Sequence, residues 1–391
     1  MYDFDRILDR KGSDSIKWDF IPKSSNGEEL LPMWVADMDI QTPQFVFDEI
    51  SRISSHGVLG YTGTTSRWAP AIVSWFSRRH GAVVNDEELL FIPGIVRGIA
   101  FAELCFTVAG DKVMVMSPVY HPFFHVTEKL GRQVVRCPLS LNEEKKQYDL
   151  DFALFTRLIS GCKMLVLSNP HNPGGKVWSK DELSRIATIA RQNGCLVISD
   201  EIHADLTCKS YTHNTFFSVS EDAASNCIVF GSPSKAFNMP GLCSSYAIIK
   251  NPCILERFKS FMDAGEFDFG NIFSAACCAA CYEKGDEWLD EVLEYIHGNI
   301  LYVKDFLNNH IPQISMLDIQ ASYLAFLDCR KLGLSQNDLV SLFIDKAGLF
   351  LNDGSMFGPE GVGFMRMNLG CPRSVLEKAL MALKSAVDSI S

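Results

Sequence analysis

This chain of 391 residues has no long apolar run, no basic tract and no internal repeat, and each absence removes a class of function. Nothing approaches the roughly 18 apolar residues that cross a bilayer. The opening stretch MYDFDRILDRKG has no apolar core of an export signal, so a cytoplasmic protein without a membrane partner is expected. Positive charge is scarce. Lys and Arg number 36 against 47 Asp and Glu, the net charge is -11, and basic residues never cluster beyond SRRH or EEKK. Nucleic acid and anionic surfaces need such clusters, so neither is an expected partner. A disulfide framework is also missing. The 13 cysteines are odd in number and scattered through apolar runs such as LCFTV and GCLVIS, which suits reduced, buried thiols. In SAACCAAC, Cys277 and Cys281 share a helical face, but the Ala neighbours and the lack of a nearby His point to close helix packing, and no metal is expected.

What is present begins with 47% apolar residues, enough for a large core. Apolar runs of strand length recur at KVMVM (112–116), MLVL (164–167), LVIS (196–199), IVFG (228–231) and YAIIK (246–250), with helical patterns between several of them. Such alternation predicts an α/β fold with a mainly parallel, buried sheet sandwiched by helices. One crossover helix is marked by a capping box, Ser179 and Glu182, an apolar face of Leu183, Ile186 and Ala190, and a closing Gly194. From about residue 283 the pattern changes to a long helix, a strand-like SYLAFLD, and a last helix opened by Pro372 with Leu376, Ala379, Leu380, Leu383 and Val387 on one face. We expect a large domain over 43–282 and a smaller α+β domain from 1–42 and 283–391.

The chemistry lies where the strands end. The runs close in SPVYHPFF, SNPHNPGGKVW, SDEIHADL and GSPSKAFNMPG, and open α/β sheets bind ligands at the carboxyl ends of their strands. Together these endings offer a tyrosine ring, an asparagine between two prolines, a carboxylate, two serine hydroxyls and a lysine. Lys235 stands out, because an ammonium after a buried strand is disfavoured unless it has a task. The inventory suits pyridoxal phosphate (PLP): a lysine joins its aldehyde, an aspartate keeps its ring nitrogen protonated, and a helix N-terminus such as that of PGIVRGIAFAELCF, with Ser232 and Ser234, holds the phosphate.

With these residues in view, the chain resembles a fold-type I PLP enzyme of the class I/II aminotransferase superfamily, and within it the MalY/PatB type of carbon–sulfur β-lyase. The likeness runs through PMWVADMDI, GYTG, PVYHPFF, NPHNPGGKVW, SDEIHADL, SPSKAFNMPGL and GFMRMNLGCPR, seven motifs in order over almost the whole chain. The resemblance implies that Lys235 is the Schiff-base lysine and proton carrier, Asp200 the partner of the ring nitrogen and Asn172 the donor to the ring's phenolic oxygen. It implies that Tyr120 stacks on the ring, that Ser232, Ser234 and the backbone at Val96 and Arg97 hold the phosphate, and that Tyr61 reaches that phosphate from the other subunit of a homodimer with shared sites. Arg366 then clamps the substrate carboxylate, a task for which the guanidinium fork is suited.

Other readings stay open at single residues. Arg97 is not matched to the family and is also readable as a solvated side chain. His203 is either a cofactor contact or a core hydrogen-bonder, and Trp34 either lines the substrate pocket or is a packed indole. The activity implied is β-elimination from a small amino acid, an L-cysteine S-conjugate such as L-cystathionine, giving homocysteine, pyruvate and ammonia. An aminotransferase would use the same Lys, Asp and Asn. A regulatory binding protein, and a metal hydrolase built on His121, His125, His203, Asp200 and Asp205, are the readings from other classes.

Overall fold

The computed structural model describes residues 2–390. A seven-stranded sheet forms its centre, from β1 (Leu89–Ile92), β2 (Lys112–Ser117), β3 (Gln133–Pro138), β4 (Cys162–Ser168), β5 (Leu196–Asp200), β6 (Cys227–Gly231) and β7 (Ser245–Ile248). The strands lie in the order β1-β7-β6-β5-β4-β2-β3, all parallel except β7, which runs against both of its neighbours. Both β5 and β6 are buried at every position, as a sheet covered on two faces requires. Each of the five runs read from the sequence is in this sheet. The two strands not anticipated, β1 and β3, lie at its edges.

Helices α1 (Ile95–Phe106), α2 (Pro122–Lys129) and α3 (Lys180–Gln192) connect these strands. The capping box of α3 is formed, with the Ser179 N–H donating to Glu182 Oε2 at 2.9 Å and Ser179 Oγ accepting the Glu182 N–H at 3.2 Å. Helix α1 presses close to the sheet because Gly98 has no Cβ; one placed there would stand 2.9 Å from Ile92 and from Phe230. Gly94, at φ 120°, makes the turn that starts this helix.

A second, antiparallel sheet contains β8 (Ser315–Met316), β9 (Leu324–Asp328), β10 (Asn352–Asp353) and β11 (Phe364–Asn368) in the order β8-β9-β11-β10. It is accompanied by α4 (Ser274–Lys284), α5 (Asp286–His310) and α6 (Arg373–Asp388). The predicted inner face of α6, Leu376 to Val387, is buried. Leu31–Pro32 pairs in parallel with Leu349–Phe350, which ties the N-terminal segment to this end of the chain. In α4, Cys277, Cys278 and Cys281 are without solvent exposure, and burial pushes the Cys277 thiol up to about 12. Among the described residues no helix is long and apolar enough to cross a membrane.

Candidate active site

The carboxyl ends of β4, β5 and β6, with the start of α1, enclose a cleft of about 250 Å³. Val96, Arg97, Tyr120, Asn172, Asp200, His203, Ser234 and Lys235, all singled out from the sequence, line it. Ser232 stands just behind the wall, its Oγ 2.8 Å from Ser234 Oγ and accepting the Ser234 N–H at 3.1 Å.

Lys235 Nζ donates to the carbonyl of Ala36 at 2.6 Å. Desolvation draws its pKa down to about 8; Arg366 acts in the same direction, against Asp37 and Asp200. A fraction of this amine is therefore uncharged near neutrality, as a proton acceptor needs. Asp200 ends β5 and accepts the N–H of Ile202 at 3.0 Å. Burial raises its pKa to about 7, and that backbone donor and Lys235 only partly offset the rise. His203 is buried with Nδ1 unpartnered, and desolvation lowers its pKa to about 3, so it is neutral. The Tyr120 N–H donates to the Asn172 carbonyl at 3.0 Å, and burial raises the pKa of its phenol.

Arg366 projects from the middle of β11, next to Asn352 of β10. Its guanidinium donates to Asn172 Oδ1 at 3.1 Å, to Asn352 Oδ1 at 2.6 Å and to the Trp34 carbonyl at 3.1 Å, and lies 4.9 Å over the Phe357 ring. Every one of these partners is neutral, and Nε has none. Burial pulls the Arg366 pKa down to about 10. The bond to Arg366 occupies the Asn172 amide oxygen and leaves its NH2 group free to donate. Trp34 packs edge-on to Phe350 with centroids 5.3 Å apart, and its indole N–H donates to the Lys17 carbonyl at 3.1 Å. Its backbone, through Arg366, is what bears on the site.

Sequence reasoning missed the carbonyl of Ala36, which also accepts the Tyr323 hydroxyl at 3.0 Å, and Asn352. A main-chain oxygen has no residue signature; the polar LND at the end of an apolar run was the available sign of Asn352. Sequence reasoning also missed the ion cluster behind this segment. Arg10 bonds Asp37 at 2.8 Å and Asp39 at 2.7 Å, and Lys17 bonds Asp39 at 2.7 Å. Asn238, three residues past Lys235 and at φ 51°, clamps the same segment by donating to the carbonyls of Met38 and Ile40.

Tyr61, expected to act from the other subunit, lies away from this cleft, and the alternative metal-hydrolase set does not gather in it. Tyr61 is fully exposed and lines a separate groove with Phe269 and Asn271 of its own chain. The metal-hydrolase set is dispersed, since Asp205 accepts from the Trp75 indole and pairs with His80, each at 2.8 Å. Among the described residues no three His, Cys, Asp or Glu side chains gather to hold a metal.

Residues 35–383 match the aminotransferase class I and II family. The chain is 36% identical over 386 residues to cystathionine beta-lyase PatB of Bacillus subtilis, covering 98% of this chain and 99% of that protein. It is 30% identical to protein MalY of Escherichia coli over the full length of both. The structure of cystalysin from Treponema denticola, which contains pyridoxal 5'-phosphate, superposes with a TM-score of 0.95 at 34% identity, covering 100% of both chains. The chain thus belongs to the class I and II aminotransferase family. Within that family it is similar to carbon–sulfur lyases.

Proposed function

We propose that this protein is a PLP-dependent carbon–sulfur β-lyase that cleaves L-cysteine S-conjugates such as L-cystathionine to a thiol, pyruvate and ammonia. The observation that carries the substrate class is Arg366, a buried cation with only neutral partners and a free Nε, beside Asn172. Such a cation needs an anion, and an α-carboxylate fits its fork.

The cofactor fits the residues present. Asp200 is a buried carboxylate whose only hydrogen bond among the described residues is from a backbone N–H, and a pyridinium N–H would answer it. When bound, PLP supplies the electron sink that acidifies the substrate's Cα–H. Asp200 keeps a proton at the ring nitrogen. Asn172, through its free NH2, would hold the phenolic oxygen, Tyr120 would cover the ring face, and Ser234, with Ser232 behind it and the N–H groups of Val96 and Arg97, would hold the phosphate. Lys235 would hold the cofactor's aldehyde, and its free amine, with a pKa lowered to about 8 by burial, would take the Cα proton. Trp34 and Asn172 complete the substrate side by holding Arg366. Neutral His203 lines the same cleft as Lys235 without competing for protons.

In this reading two chains share each site in a cytoplasmic homodimer, and the 43–282 unit carries the cofactor. The support is the exposure of Val58, Leu59, Tyr61 and Phe269, apolar side chains that a partner would cover. The test is thiol and pyruvate release from cystathionine and cystine with no keto acid added. Lys235→Ala should abolish it. Strict dependence on an acceptor makes the protein an aminotransferase instead. The same assay on Lys235→Ala chains mixed with an inactive Tyr61 variant tests site sharing: heterodimers regain one intact site, and no recovery although heterodimers form sinks the shared-site model.

A further inference from the structure

Resting on this reading of a PLP site, we propose that Arg97 is the cation that neutralises the cofactor's phosphate. A phosphate monoester carries about -1.5 to -2 charge near neutrality, and hydroxyls and backbone amides alone leave most of it unbalanced. The basic side chains lining the cleft are Arg97, His203 and Lys235. Lys235 is assigned to the aldehyde and to proton transfer, so its amine is committed to the reacting carbon and is not a fixed partner of the phosphate. His203 is held neutral by burial, with its pKa near 3. Arg97 remains.

Its position suits the task. Arg97 lies in the first turn of α1, where backbone N–H groups point out of the helix and the dipole favours anions. Ser234 lines the same cleft with Ser232 behind it, so hydroxyl donors and an arginine bound one space. The guanidinium makes one hydrogen bond, from NH1 to the Pro93 carbonyl at 2.9 Å, which folds it back over the start of the helix. Several other exposed arginines are engaged: Arg52 pairs with Glu49, Arg78 with Asp286 and Arg330 with Asp328. Among the described residues Arg97 has no carboxylate partner, so most of its five N–H donors remain for a ligand.

Holoenzymes of the wild type, Arg97→Ala and Arg97→Lys, equilibrated by dialysis against graded PLP and, separately, against graded pyridoxal, test this. Bound cofactor is read from its visible absorbance, independently of turnover. The phosphate-free pyridoxal series also reports whether each variant has kept its fold. Arg97→Ala should weaken PLP about tenfold to a hundredfold, the loss of one charge-assisted contact, and leave pyridoxal within about threefold. Arg97→Lys should recover part of the loss. Equal PLP affinity in Arg97→Ala and wild type overturns the proposal. So does a parallel loss for pyridoxal, or unchanged PLP binding with a raised KM confined to substrates bearing a distal carboxylate. If wild type itself takes up no PLP, the underlying reading fails and this one with it.

Discussion

Lys17 and Arg366 are both almost fully buried, at 1% and 4% exposure, yet their surroundings are opposite. Lys17 lies against Asp39 at 2.7 Å and Asp37 at 3.6 Å, and with Arg10 makes a cluster of two cations and two carboxylates. Arg366 has two amide oxygens, a main-chain carbonyl and an aromatic face, and no negative charge. Burial of an ion is expensive unless an opposite charge offsets it. The balanced cluster accounts for itself as structure. The unbalanced arginine is explained by a ligand that arrives later.

The comparison breaks first at Arg366. Arg366→Met should lower kcat/KM by about 10²–10⁴, two charge-assisted hydrogen bonds of about 1.5–3 kcal/mol each, and leave the melting temperature unchanged or higher, because an uncompensated charge has gone. Thermal unfolding beside steady-state kinetics checks this; a large loss of stability would place Arg366 among the structural ions. Lys17→Met is expected to do the reverse, removing about 3–5 kcal/mol of stability by leaving Arg10 alone against two carboxylates. Urea unfolding measures it, and an unchanged midpoint would mean that the cluster is not structural.

A third buried charge sharpens the contrast. Glu103 in α1 is fully buried, accepts the Thr127 hydroxyl at 2.6 Å and has an unpartnered Oε2. Desolvation raises its pKa to about 7, against the pull of Thr127 and Arg132. The folded state therefore binds this proton more tightly than the unfolded chain, and stability falls as pH rises from about 4.5 to about 7. Glu103→Gln should be near neutral at pH 5 and stabilising by ~2 kcal/mol at pH 8. Melting at the two pH values checks it, and an equal effect at both would show that Glu103 does not titrate in this window.

The side chains of the site were largely legible in the sequence, because PLP chemistry demands particular groups at strand ends and strands with turn-rich endings are visible. Lys235, Asp200 and Asn172 follow runs whose apolar character is unbroken, and they meet in one cleft. What was not legible depends on backbone or on edges. Ala36 acts through its carbonyl, which any residue would supply. Strand β3, at the sheet's edge, leaves Gln133 and Arg136 exposed, which breaks the apolar run that marks a central strand. Arg10, Lys17, Asp37 and Asp39 lie in stretches that read as ordinary polar chain, and their pairing across tens of residues leaves no periodic trace.

Residues 31–40 connect more than they were credited with. The Leu31 N–H donates to the Gly348 carbonyl at 2.8 Å and the Asn368 N–H to the Met33 carbonyl at 2.9 Å, while Ala36 receives Lys235 at 2.6 Å and Asn238 grips Met38 at 2.9 Å. One short stretch is thus stitched to β11, to the strand before β10 and to the lysine loop. Opening any of these strips hydrogen bonds from the others, which favours melting in a single cooperative transition. A protease nick within 31–40 would then loosen three parts of the molecule at once while leaving every named side chain of the cleft in the chain.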